Sequence, residues 1–524
     1  MGAPSRRART TFLAISAAVG VGLALAIYQP WRALPFDVRD FSEFLPLLLH
    51  NNSFAARLHA FTDYYASQGR LNILSYLFLV LKWSVFGWHS AGWQLARFVE
   101  MCGIVAGVFL TLRRMGAARA GAVAGAALFI VASTAEPSWT RLTMGEPLGT
   151  MAMLGALWLA AGYQRATRRP RDGVAIAILL ALALLAKEMF VATVPFVLLV
   201  ALCFEGPDRV VIPERTARNI RVVVASAIAC LLVLVPVAIT ALRVSGERFA
   251  AQYGAAALSS DRVLHLMGVL LLPVHPAYAP RIAPLLFPAN LLFVLLVIAG
   301  WALAVREPVT RDAAALLGFV ALLLPLLGAI AYAPWPLFED FYGLPFLIAS
   351  AMLVALAVTY IERYAPRGTW AAYAACVVML GYSATTTQHA ARASAARQEV
   401  NDELSRALVA NAYPDSVVMA TRFITPQQWE GTGPTLRRYA LVFHPGVTLP
   451  PIRDALCPAT KPIYAALYQD PHDRHMLITY SDECGVFPRP MQSFVRYYHY
   501  IYWPTLQRRT DSLRADLLSR PPAR

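Results

Sequence analysis

The sequence predicts an α-helical polytopic membrane protein with about 11 transmembrane helices and a small α/β domain at its C-terminal end. Of its 524 residues, 58% are hydrophobic and only 15% are charged, which is too apolar for a soluble multidomain protein of this length. Apolar stretches of about 20 residues, the length that crosses a bilayer core, recur from residue 13 to near residue 382. Short arginine-rich loops separate many of these stretches.

The formal charge of +15 does not indicate a nucleic-acid partner. Nearly all of it comes from arginine, since Lys82, Lys187 and Lys461 are the only lysines. The arginines lie in short loops between apolar runs, where basic residues mark the cytoplasmic side of a membrane protein. The charge therefore sets orientation in the membrane, and no nucleic acid is expected to bind.

The first residues place the N-terminus in the cytoplasm. Arg6, Arg7 and Arg9 precede an apolar run that reaches Ile27. A cleavable signal peptide is the alternative, because the sequence Ala-Leu-Ala at 24–26 has the small-residue spacing of a cleavage site. Further arginine-rich loops, all predicted to be cytoplasmic, span residues 113–119, 163–172, 208–221, 306–312 and 362–367. The connections predicted to face outward span residues 135–146, 187–188, 243–287 and 334–343.

One apolar segment does not fit the alternation of spans. Residues 71–86 and 93–112 are both apolar, yet Arg6 and Arg113 must lie on the same side of the membrane. The first segment carries Lys82 and two tryptophans, which is typical of an interfacial helix. We therefore predict that residues 71–88 lie on the outer surface, that the N-terminus is inside and that the C-terminus is outside.

The region after residue 387 changes character, which divides the chain into a transmembrane domain (1–387, with a first outer loop at 29–92) and an outer α/β domain (388–524). A helical pattern at 389–410 precedes short β-type runs at 416–423, 438–443, 463–468 and 475–480. Cys457 and Cys484 lie in this domain, and whether they form a disulfide stays open. The other four cysteines lie within or at the ends of apolar runs.

Polar residues gather on the predicted outer side. Asp37 and Asp40 lie in the first outer loop, just after the first span, where charges are costly unless they are paired or used. Arg141 lies in the next connection predicted to face outward, and Glu146 opens the span that follows it. An amphipathic helix with a solvated face is the alternative for the first pair, and stabilisation of a helix N-terminus is the alternative for Glu146.

Two further groups belong to the same side. Lys187 and Glu188 interrupt about 30 apolar residues, so the run is better divided into two short spans that turn at Lys187. Asp340 and Tyr342 lie at the mouth of the span that begins at Leu344. A structural ion pair is the alternative for Lys187.

The sequence contains no phosphate-binding P-loop and no glycine-rich dinucleotide turn. Soluble nucleotide donors are scarce outside the membrane, so a transferase on that side needs an activated donor that arrives within the bilayer. Lipid-phosphate sugars meet this requirement. No cofactor is predicted with certainty, and the carboxylates leave a divalent cation open.

Four features together resemble the GT-C superfamily of integral-membrane glycosyltransferases, in particular the bacterial aminoarabinose and protein O-mannosyl transferases. They are the acid pair Asp37 and Asp40, and the segments YYASQGRLNILSYLFLVLKWSVFGW (64–88), TRLTMGEPLGTMAML (140–154) and LLAKEMFVATVPFVLL (184–199). Each motif is degenerate, so the resemblance rests on their order and on their common side of the membrane. It covers residues 1–390 and implies a multi-pass protein of the bacterial inner membrane.

The resemblance implies roles for these residues. Asp40, with Asp37 as second choice, matches the first-loop base that takes a proton from an acceptor hydroxyl. Glu146 matches the second-loop acid, where the family more often has aspartate. The residues implied to bind substrate, and in the case of the cations to stabilise the departing lipid phosphate, are Arg70, Arg141, Glu146, Lys187, Glu188, Asp340 and Tyr342.

The implied reaction moves a sugar from a polyprenyl-phosphate donor to a glycan, lipid or protein hydroxyl, with inversion. Two alternatives stay open. A transporter or flippase of lipid-linked saccharides would also place ionisable residues in the membrane, although such folds commonly have internal repeats and we find none. A non-catalytic assembly or anchoring protein would need neither Asp40 nor Lys187.

Overall fold

The protein is mostly helical, as predicted. The computed structural model describes residues 6–32, 44, 47–49, 51–67, 69–164, 171–206, 209–211, 216–243, 259–274, 284–333, 340–411, 463–469, 490–502 and 507–520. Within these residues, five helices are long and apolar enough to cross a membrane, or six if the bent pair Arg119–Val131 and Ser133–Thr140 forms one span. The chain is a multi-pass membrane protein, and the number of about 11 spans stays a prediction.

Fifteen α-helices and five strands occur in the described part of the chain. The helices are α1 (Arg6–Tyr28), α2 (Phe54–Ala66), α3 (Ile73–Phe86), α4 (Ser90–Arg114), α5 (Arg119–Val131), α6 (Glu136–Thr140), α7 (Glu146–Ala160), α8 (Arg171–Ala186), α9 (Thr193–Cys203), α10 (Ala217–Arg243), α11 (Ser260–Leu271), α12 (Pro288–Arg306), α13 (Arg311–Tyr332), α14 (Leu347–Tyr364) and α15 (Thr369–Asn411). The strands are β1 (Phe204–Gly206), β2 (Arg209–Val210), β3 (Ile463–Gln469), β4 (Pro490–Tyr502) and β5 (Gln507–Arg520).

The centre of the helix bundle is α14, which is almost entirely buried. Its alanine-rich surface lets neighbouring helices approach closely. A Cβ atom at Gly121 or Gly125 of α5 would overlap the carbonyl oxygens of Ala355 and Ala351, and one at Gly300 of α12 would overlap Ala357. Because apolar burial gives little driving force between helices in lipid, close packing of small residues is what holds such helices together.

Helix α3 is short and is buried more deeply than its sequence indicated. With 14 residues it is about 21 Å long, less than the roughly 30 Å of a hydrocarbon core. Lys82 is only 5% exposed and pairs with Glu100 of α4. The sequence of α3 alone does not show this pairing, because it depends on a glutamate of the next helix. The placement of α3 on the outer surface stays a prediction.

The last helix, α15, continues without a break across the predicted domain boundary at residue 387. It contacts β4 and β5, which form a three-stranded antiparallel sheet together with β3 in the order β3-β5-β4. Of the predicted β-type runs, the one at 463–468 is confirmed as β3, and those at 416–423, 438–443 and 475–480 lie outside the described residues. The strands β4 and β5 were not predicted. The division into two domains stays a prediction, as does the pairing of Cys457 and Cys484, which lie outside the described residues.

Candidate active site

Glu146 is the first residue of α7, and Pro147 follows it. An acid in the first turn interacts favourably with the helix dipole, and a proline there costs no backbone hydrogen bond, so the sequence Glu-Pro begins a helix well. The preceding Gly145 lies against α3: a Cβ atom at this position would overlap Ser75. The close approach of the two segments leaves Glu146 only 2% exposed.

Lys187 lies where α8 ends. Its backbone is extended (φ −164°, ψ 132°), and a single 3-10 turn, Glu188–Ala192, separates it from α9. The predicted division of the long apolar run at Lys187 is therefore confirmed. Ser75 of α3 donates a hydrogen bond to the carbonyl of Ala186 at 2.6 Å, which fixes the end of α8 against α3.

The side chains of Lys187 and Glu146 meet in a buried ion pair. The Lys187 Nζ donates to Glu146 Oε1. The same ammonium lies 4.2 Å from the centroid of the Tyr342 ring, so the tyrosine face gives a second electrostatic contact. Tyr342 stacks in turn on Tyr332 at the end of α13, with ring centroids 5.0 Å apart. Segments far apart in the sequence thus meet around one amine.

Further charges belong to the same cluster. Arg70 lies within electrostatic range of Lys187 and of Tyr332, and Glu188 lies within range of Tyr332. The cluster, which we call the Lys187 site, consists of Arg70, Glu146, Lys187, Glu188, Tyr332 and Tyr342. It lies at one end of the bundle, where α7 begins and α8 ends. Of the arginine-rich loops, the one at 163–172 connects the opposite ends of these two helices.

The Lys187 site has an acceptor atom that is not used by the described residues. Glu146 Oε2 is buried and has no hydrogen-bond partner among them. Buried carboxylate oxygens are usually satisfied, because leaving one unpaired costs roughly 1–3 kcal/mol. With a donating ammonium on one side and an open acceptor on the other, the site suits a ligand that carries both an anion and hydroxyl groups.

A second buried ionic cluster lies beside it, between α3 and α4. Glu100 pairs with Lys82 through Oε1 and with Arg97 through Oε2, the latter at 2.7 Å. Arg97 also donates to the carbonyl oxygens of Leu142 and Met144, at 2.8 and 3.0 Å. We call Lys82, Arg97 and Glu100 the Arg97 network; it holds the loop that leads to Glu146.

The Arg97 network carries an electrostatic cost. The pKa of Lys82 is lowered to about 8: burial lowers it most, the nearby Arg97 acts in the same direction, and Glu100 opposes both. Two cations share one carboxylate in this network, so the lysine is held where its charged form is disfavoured. The Arg97 network thus disfavours the charge of Lys82 and also holds the loop before Glu146 through Arg97. We therefore assign it a structural role.

The structure brings together five of the predicted site residues: Arg70, Glu146, Lys187, Glu188 and Tyr342. Arg141 directly follows α6, five residues before Glu146, and its backbone N–H donates to the carbonyl of Pro137. Asp340 begins the 3-10 turn Asp340–Phe346 that carries Tyr342, and its side chain is not described. Asp37 and Asp40 lie outside the described residues. Their roles therefore stay predictions.

Sequence reasoning missed Arg97, Glu100 and Tyr332. The first two interrupt the apolar run 93–112, and charged residues inside a span are a functional or structural signal that was available. Tyr332 gave no such signal, since a tyrosine at the end of a span is common. Among the described residues, no group of three or more His, Cys, Asp or Glu could hold a metal ion, and a divalent cation stays open.

No family model matches the chain, and no curated protein sequence matches it either. Among solved structures, it is similar to ArnT from Cupriavidus metallidurans in the apo state, with 12% sequence identity and a TM-score of 0.50 over 88% of this chain and 93% of ArnT. The chain has the GT-C fold. This confirms the fold that the sequence motifs implied, and at such low identity the likeness concerns the GT-C fold alone.

Two other GT-C structures show weaker similarity. One is ArnT from the same organism bound to undecaprenyl phosphate, with 13% identity and a TM-score of 0.47 over 87% of this chain and 93% of ArnT. The other is the arabinofuranosyltransferase AftD from Mycobacteria, with 14% identity and a TM-score of 0.44. That match covers 83% of this chain but only 32% of AftD.

Proposed function

We propose that this protein is a glycosyltransferase that moves a sugar from a polyprenyl-phosphate donor to an acceptor hydroxyl on the outer face of the bacterial inner membrane. The observation that carries the proposal is the Lys187 site, where a buried ammonium and a carboxylate oxygen without a partner among the described residues lie together at one end of a GT-C fold. ArnT, whose apo structure shares this fold, has also been solved bound to undecaprenyl phosphate.

The donor phosphate fits the cations of the Lys187 site. An ammonium is a compact positive charge that binds phosphate, and Lys187 donates to Glu146 within the site. Arg70 adds positive charge from the loop before α3. As the bond between the sugar and the phosphate breaks, negative charge accumulates on the phosphate, and fixed cations stabilise this charge most in the transition state.

The sugar fits the carboxylates. Glu146 Oε2 can accept a hydrogen bond from a sugar hydroxyl, which would satisfy the buried oxygen. Asp40, or Asp37, would take the proton from the acceptor hydroxyl as its oxygen attacks the anomeric carbon. A single displacement with inversion follows, because the leaving group is already an anion and needs no general acid. Arg141, Glu188 and Asp340 would contribute to substrate binding.

The proposed orientation puts the N-terminus in the cytoplasm and the C-terminus outside. The domain at 388–524 would then bind the acceptor or cover the site. Ser84 of α3 is exposed, so a cysteine placed there should react with a membrane-impermeant maleimide in intact cells. Labelling only after the inner membrane is made permeable would contradict this orientation.

The function is tested with purified protein reconstituted with radiolabelled polyprenyl-phosphate sugar and a bacterial envelope extract as acceptor. We expect transfer by the wild type and a loss of roughly 100-fold or more in Asp40→Asn and Lys187→Ala. Wild-type rates of transfer in both variants would contradict the site assignment. Movement of the lipid across the bilayer without transfer would instead identify a flippase.

A further inference from the structure

Asn72 directly precedes the first residue of α3 and is buried, with only 7% of its surface exposed. Asparagine is favoured at this position because its side-chain oxygen usually accepts a hydrogen bond from a backbone N–H of the first helical turn. Here the side chain makes no such bond. Its oxygen Oδ1 is buried and has no hydrogen-bond partner among the described residues. The start of the helix therefore does not account for the amide, and no step of the reaction proposed above uses it.

The chain on both sides of Asn72 reaches the Lys187 site. Arg70, two residues earlier, lies within electrostatic range of Lys187. Ser75, three residues later, donates a hydrogen bond of 2.6 Å to the carbonyl that directly precedes Lys187. Side chains three positions apart on a helix are neighbours, with Cβ atoms about 5–6 Å apart. Asn72 is therefore about one helical turn from the contact between α3 and the end of α8.

The same end of α3 lies against the loop before Glu146. A Cβ atom at Gly145 would overlap the Ser75 side chain. Tyr76, at the next position of α3, stacks on Tyr65 of α2 with ring centroids 4.7 Å apart. The first turn of α3 is thus enclosed by α2, by the start of α7 and by the end of α8, so the amide is buried within the protein beside the site.

Two further oxygens of the site share the property of Asn72 Oδ1. Glu146 Oε2 and Glu188 Oε2 are also buried and have no hydrogen-bond partner in the described part of the chain. A buried acceptor without a donor costs free energy, so three of them in one region indicate a ligand that supplies hydrogen-bond donors. The oxygens of an ionised phosphate only accept hydrogen bonds and cannot meet this need. Sugar hydroxyls can, because a hydroxyl group both donates and accepts.

We propose that Asn72 is a sugar-binding residue of the Lys187 site, where Asn72 Oδ1 and Glu146 Oε2 accept hydrogen bonds from free hydroxyl groups of the donor sugar. This inference rests on the proposed function and narrows its substrate class: the sugar hydroxyls that face these two oxygens carry no acyl or methyl group. A site of this kind rejects an analogue without the donor group, because its buried acceptor is then left unpaired. Asn72 thus selects the sugar, whereas the cations bind the lipid phosphate.

The affinities of the purified protein for three lipids test the assignment. They are undecaprenyl phosphate, its hexosyl or pentosyl ester, whichever binds the wild type more tightly, and the same ester with its sugar hydroxyls O-methylated. We expect the wild type to bind the free ester about tenfold more tightly than the methylated ester. Asn72→Leu should weaken binding of the free ester about tenfold and leave the affinities for the other two lipids within about twofold.

Two controls separate recognition of the sugar from folding. Asn72→Leu keeps the volume of the side chain and removes its polar atoms, so its unfolding temperature should equal or exceed that of the wild type. If it folds poorly, Asn72→Ala repeats the measurement. Thr111→Val is the matched control on α4, because Thr111 is also buried and its hydroxyl has no partner among the described residues. It should change none of the three affinities.

Three results would overturn the assignment. Equal weakening of all three lipids in Asn72→Leu would indicate that the residue supports the fold of the site. Unchanged affinities in that variant would indicate that the amide binds water only. Equal wild-type affinities for the free and the methylated ester would show that the hydroxyls are not recognised.

Failure of the proposed function gives a different pattern. In that case the wild type binds none of the three lipids, or it binds them and transfers no sugar. A wild type that binds undecaprenyl phosphate and transfers sugar, but does not distinguish the two esters, keeps the function and contradicts the role of Asn72.

Discussion

Lys82 and Lys187 are both buried and both paired with a glutamate, but their surroundings differ. In the Arg97 network, Glu100 uses both oxygens, and Arg97 donates to two backbone carbonyls of the loop before α7. In the Lys187 site, Glu146 keeps one oxygen without a partner among the described residues, and the amine also lies against the face of an aromatic ring.

The Lys82–Glu100 pair is therefore structural, whereas the Lys187–Glu146 pair includes an oxygen that a ligand can use. A buried charge whose partners are all protein groups fixes the geometry around it, and its replacement should affect folding first. The buried Glu146 oxygen that has no partner among the described residues costs free energy, and a ligand hydroxyl that donates to it would offset this cost. The two lysines therefore offer matched positions at which stability and activity can be separated.

The largest expected effect is on stability, from Glu100→Gln. This substitution leaves Lys82 and Arg97 buried without a negative partner, so we expect a loss of about 3–5 kcal/mol in unfolding free energy. Denaturation of the detergent-solubilised protein measures it. Glu146→Gln is the matched control and should lose less, because Lys187 keeps the Tyr342 ring. Equal losses would remove the distinction between the two clusters.

The next effect is on activity, in a double-mutant cycle of Glu146→Gln and Lys187→Met. Each single substitution should lower kcat/KM for the polyprenyl-phosphate sugar by roughly 100- to 1000-fold. The double variant should be no worse than the poorer single one, because the two side chains act as a pair. Lys82→Met, the same substitution in the Arg97 network, should stay within about threefold of the wild type per folded molecule. Additive losses would argue against a shared role.

A smaller effect is expected from Gly145→Ala. The new Cβ atom would overlap Ser75 and separate α3 from the loop before Glu146, at a cost of roughly 1–3 kcal/mol. Gly103→Ala is the control, since its Cβ atom would be 3.6 Å from Met151 Sδ, and alanine favours a helix interior by roughly 0.5–1 kcal/mol. The unfolding temperatures of the two variants measure the difference. A Gly145→Ala variant as stable as the wild type would show that the contact with Ser75 does not position Glu146.

The smallest effect is expected at Tyr342. Loss of the ring in Tyr342→Leu removes the cation–π contact with Lys187, which is worth about 0.5–2 kcal/mol, whereas Tyr342→Phe keeps it. Undecaprenyl phosphate affinity, measured by calorimetry, should fall by roughly 2- to 30-fold in the first variant and stay near the wild-type value in the second. A larger loss in Tyr342→Phe would show that the hydroxyl, rather than the ring, matters.

Much of the fold could be predicted from the sequence because lipid imposes simple requirements. Apolar length predicted most helices, and the cost of burying Lys187 inside one long helix predicted the break between α8 and α9. The Lys187 site was predicted in part because Arg70, Glu146, Glu188 and Tyr342 lie at ends of predicted spans. Their common side of the membrane followed from the arginine-rich loops.

Other features could not be predicted because they depend on which helix faces which. The pairing of Lys82 with Glu100 needs the relative rotation of α3 and α4, which no periodicity in either helix determines. The same applies to the bonds from Arg97 to Leu142 and Met144, since backbone carbonyls carry no sequence signal. An apolar groove between α1, α4 and α5 likewise depends on how closely α5 approaches Gly20, a distance set by packing across three helices.

The unbroken course of α15 has a mechanical consequence. A helix of 43 residues is about 64 Å long, roughly twice the thickness of a hydrocarbon core. The same helix contacts β4 and β5, so a change in its tilt would displace the strands that pack against it. The helix is continuous from Thr369 to Asn411, so it has no hinge at which such a displacement would be absorbed.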